Sequence, residues 1–505
     1  MSVGSPEWAR EVGRIRWDRH SRRATAPAPE VWQATRPDPR GHAIVIGASL
    51  AGLLAARVLS ETYASVTLLD RDIWADNTRP RGGVPQGAHA HGLLARGRDV
   101  LEELFPGLTD ELVRSGAFAG DLQQQCRWYF GGSALAAGES GLQGLAVSRP
   151  ALEQAVRRRV GALPGVRIQT GVAVRGLAVD PTARQVTGVI TSSVATDGPP
   201  VRRTADLVID ASGRNSRAPV WLDELGYESP HLEQVRVDVC YATRHFRRTP
   251  GSASDAFAVV VAASPDSAWG GALIRQEGER WILTLGGYHG DRPPLDLDGF
   301  RACAAEMVPE FAEVAGTAEP LDDGKYFRFP ASNRRRYERL QRFPERFVVM
   351  GDAVCSFNPV YGQGITVSAV EALALRRCLD DGSKRLGIRF FDEIKSVVDV
   401  PWQIAAGADL QLPDTPGQPP LPTRLINRYI ARLQLAAGHD AELAGAFLRV
   451  ANLIAPPPSL MRPDRMLRVL LNGRRRRQPV SDPAPGAIAA TRGTAQTWDV
   501  EPSGR

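Results

Sequence analysis

The stretch Ala43-Ile44-Val45-Ile46-Gly47-Ala48-Ser49-Leu50-Ala51-Gly52 decides how the rest of the chain is read. Four apolar residues run into Gly47, a small-residue helix is predicted from about Leu50 to Glu61, and a second apolar strand, Val66 to Leu69, ends at Asp70. That order is β-α-β, the repeating unit of a doubly wound sheet. Gly47 permits the tight turn off the first strand, and Gly52 lets the helix lie close to the sheet. Ser49 stands where a second glycine usually admits backbone to a pyrophosphate, which the helix N-terminus would face. A small-residue turn between strand and helix is common without any ligand. What favours a bound dinucleotide is Asp70, whose carboxylate can hold both ribose hydroxyls of an adenosine from the end of the next strand.

Far along the chain a second block pairs with the first: Gly351-Asp352-Ala353, then Phe357-Asn358-Pro359-Val360-Tyr361-Gly362-Gln363-Gly364. An aspartate directly after an apolar strand (Phe347 to Met350) offers a carboxylate to sugar hydroxyls. The Pro- and Gly-rich loop opening a helix offers free backbone N–H groups to an electron-rich ring edge. Asp352 could be a mere helix cap, but the glycine loop behind it argues for more. A nicotinamide site has no need of this second element, so the pair points to FAD lying extended along the lobe.

Between the blocks the pattern changes. Val235 to Arg244, Ala256 to Ala263, Ala268 to Ile274 and Trp281 to Gly286 read as a mostly antiparallel sheet inserted into the βαβ architecture. Phe390 to Leu471 reads as mainly helical, interrupted by a Pro-rich loop from Pro413 to Pro422. The 505 residues, 43% hydrophobic and 23% charged, exclude disorder and fibrous classes for the bulk of the chain. Net charge is +6, yet residues 1 to 40 hold eight Arg against five acids and residues 461 to 505 nine Arg against four, leaving about −2 for the body. With only three lysines among 62 basic residues, this is compositional bias toward Arg, and Arg474 to Arg477 read as a solvated tail rather than a nucleic-acid patch. Five widely spaced cysteines (Cys126, Cys240, Cys303, Cys355, Cys378) suit neither a disulfide framework nor a zinc site, and a cytoplasmic location is expected. No signal peptide or transmembrane run is predicted.

Three further stretches carry a family resemblance: Arg81-Gly82-Gly83-Val84-Pro85-Gln86-Gly87-Ala88-His89-Ala90-His91, Ser148-Arg149-Pro150 and Asp210-Ala211-Ser212-Gly213. With the Gly351 to Gly364 block, the chain from about 41 to 471 resembles flavoprotein monooxygenases of the p-hydroxybenzoate hydroxylase and squalene epoxidase fold, and among them actinomycete polyether-type epoxidases. The resemblance implies an α/β fold: a doubly wound, glutathione-reductase-type FAD lobe, an inserted mainly antiparallel β-sheet substrate domain, and a helical C-terminal region. The expected division is 41–115, 145–220 and 326–385 for the FAD lobe, and 116–144 and 221–325 for the substrate domain. Residues 386–471 form the helical region, and 1–40 and 472–505 are basic arms. The resemblance implies that Gly47, Ser49, Leu50, Ala51, Gly52, Asp70 and Arg71 hold the ADP half, and that Arg81 and Arg149 reach pyrophosphate or ribityl groups. Asp352 would meet the ribityl chain, and Pro359, Gly362, Gln363, Gly364 and Ile365 the isoalloxazine.

It also implies the reaction, transfer of one oxygen atom from a flavin C4a-hydroperoxide to a hydrophobic, polyketide- or terpene-like substrate, with molecular oxygen as co-substrate. No protein nucleophile is needed, and none is evident. Candidates for the pocket wall are Trp269, Trp281, Tyr241, Phe246 and Phe257, each of which could equally be core. His89 and His91 lack a third ligand nearby, so loop hydrogen bonding is expected and no metal. Many family members carry Asp-Gly where this chain has Ser212-Gly213. That departure points away from direct reduction by NAD(P)H and toward a separate flavin reductase. Two rivals share the fold: a non-redox cyclase that keeps FAD as a prop, and a halogenase. The second expects a W-x-W-x-I-P motif and an early essential lysine, whereas the lysines here are Lys325, Lys384 and Lys395.

Overall fold

The computed structural model describes residues 40–74, 83, 85–196, 198–249, 256–382 and 384–472. Arg81 and nearly all of both basic arms lie outside the described residues.

Strand β1 (Arg40–Ile46), helix α1 (Leu50–Leu59) and strand β2 (Tyr63–Leu69) form the βαβ unit read from the sequence. Chain order then brings helices α2 (Ala95–Leu104) and α3 (Arg149–Gly161) and strands β3 (Val166–Gln169) and β4 (Leu207–Asp210). Next come strands β5 (Leu232–Arg247), β6 (Trp269–Gln276), β7 (Arg280–Gly287), β8 (Lys325–Arg335) and β9 (Phe347–Val349). Helices α4 (Gly364–Asp380) and α5 (Leu386–Asp409) follow. Helix α3 starts where its sequence says it should: Ser148 Oγ accepts the Ala151 N–H at 3.2 Å, and Pro150 occupies a first-turn position whose missing N–H costs nothing.

A five-stranded sheet runs β9-β4-β1-β2-β3, every pair parallel. Ala43, Ile44 and Val45 are covered on both faces, which is why β1 reads as an unbroken apolar run instead of an alternating one. The register pairs Ile46 with both Leu69 and Asp210, and Asp210 with Val349. The carboxyl ends of four strands therefore finish level, and Gly47, Asp70, Ala211 and the Met350–Asp352 segment leave the sheet along one edge. In open parallel sheets that edge is where ligands bind.

The second layer is an eight-stranded sheet in the order Cys355–Ser356, β8, β5, β7, β6, Ala258–Val261, Cys126–Phe130, Ser133–Ala134. All its pairs are antiparallel except Ala258–Val261 with Cys126–Phe130. One face is sealed by helices Leu297–Ala305 and Pro309–Thr317, where Phe246, Leu273, Trp281, Leu283 and Leu285 pack with Phe300 and Phe311. The other face looks toward the parallel sheet. After α5, helices Leu421–Ala437, Ala441–Ala451 and Pro463–Asn472 pack around their own small apolar cluster. Among the described residues no helix is long and apolar enough to cross a membrane.

Candidate cofactor and substrate site

The turn after β1 is fixed by backbone crowding. Gly47 has φ +94°, and a Cβ there would stand 2.6 Å from the Ala211 carbonyl oxygen. At Gly52 a Cβ would come within 1.8 Å of the Gly47 carbonyl oxygen, so any side chain would lever α1 off the turn. Ser49 holds the N-cap position in extended conformation, but its hydroxyl turns away from the helix. It donates to Glu153 Oε2 at 3.3 Å and accepts from Arg149 Nη2 at 3.0 Å, tying the start of α1 to the start of α3. The first intrahelical bond is Leu53 N–H to the Ser49 carbonyl, so the N–H groups of Leu50 and Ala51 precede the ladder and remain for a ligand. Asp70 is buried; its oxygens accept the N–H groups of Ala48 (3.1 Å) and Asp72 (2.9 Å). This aims the carboxylate across the turn, and Asp70 lines the cavity.

The second half closes onto the first at Gly351, which has φ +68° and where a Cβ would meet Ala51 Cβ at 2.8 Å. Asp352 follows, and burial raises its carboxyl above the ordinary range while Arg149 and Arg214 oppose the shift. Glu371, fully buried on α4, accepts the Gly351 N–H at 2.6 Å. Burial, with Asp352 adding to it, pushes Glu371 up to about 8, so it is mostly neutral at pH 7. Pro359–Tyr361 form a 3-10 turn, Gly362 reverses the chain with φ +64°, and the 17-residue α4 begins at Gly364 without a side-chain cap. Gly364 and Ile365, whose N–H groups precede the helical ladder, line the cavity described below.

A buried polar cluster underpins that loop. The Asn358 carboxamide oxygen accepts from Tyr241 Oη at 2.8 Å, and its nitrogen donates to Tyr288 Oη (3.0 Å) and Asp409 Oδ1 (3.1 Å). Tyr361 Oη donates to the same Asp409 oxygen at 2.9 Å. Asp409, the last residue of α5, is fully buried, and burial pushes its carboxyl up to about 7 against the two hydrogen bonds. In the middle motif Asp210 is also fully buried, accepting from Ser212 N–H (2.9 Å) and Ser216 Oγ (2.6 Å), while Ser212 and Gly213 line the cavity.

These turns and loops border one cavity of about 700 Å³, within the range of small-molecule sites. It runs from Gly47, Ser49, Leu50, Ala51, Asp70 and Arg71 past Arg149 and Asp352 to Pro359, Gly362, Gln363, Gly364 and Ile365, and ends against the second sheet. Gly52 is not in the lining; it lies beneath the turn and acts through packing. The far wall is apolar: Leu122, Cys126, Phe257, Val260, Ala272 and Ile274. Of the five expected aromatic wall residues, only Tyr241 and Phe257 reach the cavity. Phe246 and Trp281 are direct cross-strand partners on the opposite face, and Trp269 joins them in that core. The cause is strand alternation, since residues an odd number apart face opposite sides.

His89 and His91 sit in the segment between the flavin-loop candidate and the sheet. Burial lowers both, to about 3 and about 4, so both are neutral at pH 7. Among the described residues no group of three metal-ligating side chains is present. All five cysteines are buried and free. None of the three lysines lines the cavity. Sequence reading missed Glu153, Glu371 and Asp409; the signal for the last two was a lone carboxylate inside an otherwise apolar helical run, Val370 to Leu375 and Ile404 to Asp409.

The glycine cradle, the two carboxylates and the two helix starts fit FAD, and comparison with known proteins agrees. Residues 41–381 match the family model described as FAD binding domain. Protein Rv3254 of Mycobacterium tuberculosis is 39% identical over 355 residues, 68% of this chain and 73% of that protein. Two solved structures share the fold at low identity. PqsL of Pseudomonas aeruginosa, described as "a probable FAD-dependent monooxygenase", is 16% identical with a TM-score of 0.54 over 73% of this chain and 97% of that one. PyrE3, a Diels-Alderase of the pyrroindomycin pathway, is 17% identical with a TM-score of 0.53 over 82% and 81%. The chain belongs to the FAD binding domain family, with the fold of FAD-dependent monooxygenases.

Proposed function

We propose that this protein is an FAD-dependent monooxygenase, a hydroxylase or epoxidase like the polyether-type enzymes it resembles, acting on a hydrophobic polyketide- or terpene-like molecule. The observation that carries this reading is the single cavity joining the glycine turn and the Pro359–Ile365 loop to an apolar wall. Bound FAD supplies the oxygen-transfer chemistry, and the protein supplies orientation and a dry pocket. Arg149 and Asp352 would hold the middle of the cofactor, the N–H groups at the start of α4 would meet its electron-rich ring, and Phe257, Val260, Ala272 and Ile274 would keep water from the reaction. The absence of lysine from the cavity lining weighs against a halogenase. A cyclase that keeps FAD structurally is the second reading, favoured by the fold shared with a Diels-Alderase. Product formed under oxygen-18 gas separates the two: one heavy atom per product supports the monooxygenase, and unlabelled product supports the cyclase.

The electron source rests on Ser212. Its side chain brings no carboxylate to the cavity edge, and the acid of the same motif, Asp210, is buried and hydrogen-bonded. NADPH or NADH alone is therefore expected to reduce the flavin slowly, with a separate flavin reductase sustaining turnover. Anaerobic stopped-flow absorbance with each nicotinamide and a turned-over substrate tests this. Bleaching at catalytic rates, on the order of 10 s⁻¹, restores a self-sufficient enzyme.

A further inference from the structure

Resting on the reading above, we propose that His89 presents a neutral Nε2–H donor to the substrate end of the cavity, so that the molecule bound there is apolar yet carries an oxygen acceptor such as a ketone. The assignment comes from counting hydrogens along one chain of contacts. Ala90 N–H donates to Thr284 Oγ1 at 3.0 Å, Thr284 Oγ1 lies 2.6 Å from Thr243 Oγ1, and Thr243 Oγ1 lies 2.7 Å from His89 Nδ1. Each hydroxyl has one hydrogen to give. Thr284, already accepting from Ala90, gives its hydrogen to Thr243, and Thr243 gives its own to His89 Nδ1. In the reverse direction both the Thr284 hydrogen and the Nε2 lone pair would be left without a partner among the described residues, against the single Nε2–H in this one. The direction with fewer unmatched groups makes Nδ1 an acceptor, and in a neutral imidazole the proton then resides on Nε2.

Where Nε2 goes is fixed by what it does not do. It makes no hydrogen bond to the described residues, yet it is absent from the sealed polar atoms that lack partners. His89 itself lines the cavity. The atom is therefore open to the cavity. The ring cannot swing freely: it packs against Phe327 (centroids 5.4 Å) and Tyr241 (6.3 Å). Burial keeps the imidazole uncharged, which suits a neutral acceptor and not a carboxylate. Neighbouring polar groups on this wall are already committed, Tyr241 Oη to Asn358 and Thr284 Oγ1 within the chain just described. An apolar ligand offering an oxygen here gains the bond, whereas a pure hydrocarbon strands a desolvated N–H.

Two measurements on the flavin-loaded protein test this. In ¹⁵N-labelled protein at pH 7, long-range ¹H–¹⁵N spectra should show His89 protonated at Nε2, its signals identified by their loss in His89→Phe; an Nδ1–H or doubly protonated ring overturns the proposal. Titrations with trans-decalin and 2-decalone, read by the visible absorbance of bound flavin, should show about tenfold tighter binding of the ketone. His89→Phe should bring the two within about twofold, and Thr243→Val, which frees the imidazole, should weaken the preference without removing the flavin. If His89→Phe is colourless, Thr243→Val alone decides. Equal preference in wild type and variants, or no ketone binding up to its solubility limit, overturns the substrate class. A changed flavin spectrum in the ligand-free His89→Phe protein with the ketone preference intact would place the donor on the cofactor and overturn it as well. Missing oxygen-18 in product alongside normal ketone preference would instead sink the monooxygenase reading and leave the donor standing.

Discussion

At Gly47–Gly52 the chain makes one end of its site from six consecutive residues, mostly with backbone. At Asn358–Ile365 it makes the other end from a loop that leans on Tyr241, Tyr288 and Asp409, contributed by the inserted sheet and by α5. The first is held by close approach, with 1.8 Å available where a Cβ would sit at Gly52. The second is held by hydrogen bonds between buried side chains. The difference predicts how each end fails: the glycine turn abruptly and by sterics, the loop gradually and with a dependence on pH.

The largest effect is expected from Gly52→Val, which must separate α1 from the turn. The variant should be recovered without flavin or not recovered folded, and a yellow protein with an unchanged melting temperature would refute the packing role. Trp281→Ala should cost ~3–5 kcal/mol because it empties a fully packed position among Phe246, Phe300 and Phe311. Since Trp281 faces away from the cavity, the bound-flavin spectrum of the surviving protein should not change, and a shifted spectrum would blur the separation between the two sheet faces. Asp352→Ala should remove a charge-assisted hydrogen bond to the cofactor worth ~1.5–3 kcal/mol, lowering flavin affinity roughly ten- to hundredfold. Full occupancy after desalting would mean that the carboxylate faces something else.

The prediction that sharpens the contrast most concerns Asp409. A carboxyl raised to about 7 in the fold and ordinary in the unfolded chain favours folding while it is protonated. Its contribution is complete below about pH 4 and is lost as pH rises through about 7. Asp409→Asn should flatten that part of the stability curve, leaving the variant relatively more stable at pH 8 than at pH 5 when each is compared with wild type. Denaturant midpoints at pH 5, 6, 7 and 8 measure it, and parallel curves would show that the carboxyl does not titrate in this window. A folded variant of the glycine turn keeps Asp409, so its stability should fall as pH rises, in parallel with wild type.

The motifs at both ends were more legible than the side chains that support them. Gly47, Ser49, Gly52 and Asp70 could be read directly because their constraint is local: a strand, a turn and a helix N-terminus lie within one short stretch, and only certain residue types fit the backbone path. Asp352 and the Pro359–Gly364 loop were legible for the same reason. Apolar alternation marked the inserted strands but not which side each faced, so Tyr241 and Phe257 could not be told from Phe246, Trp269 and Trp281. Asp409 and Glu371 were visible as charges in apolar helices, yet their partners were not.

By itself, the sequence determined the βαβ frame, the glycine turn, the acid after the second strand and the second glycine loop, since each is a matter of neighbouring residues and allowed backbone angles. Only the tertiary structure decided that Asp409 supports Asn358 from 51 residues away, that Thr284 and Thr243 line up in contact with His89 from 195 and 154 residues away, and which sheet face meets the cavity. Those choices depend on register and on which buried polar atoms find each other. Hydrogen-bond partners are selected by distance in space after the layers pack, and separation along the chain carries almost no information about it.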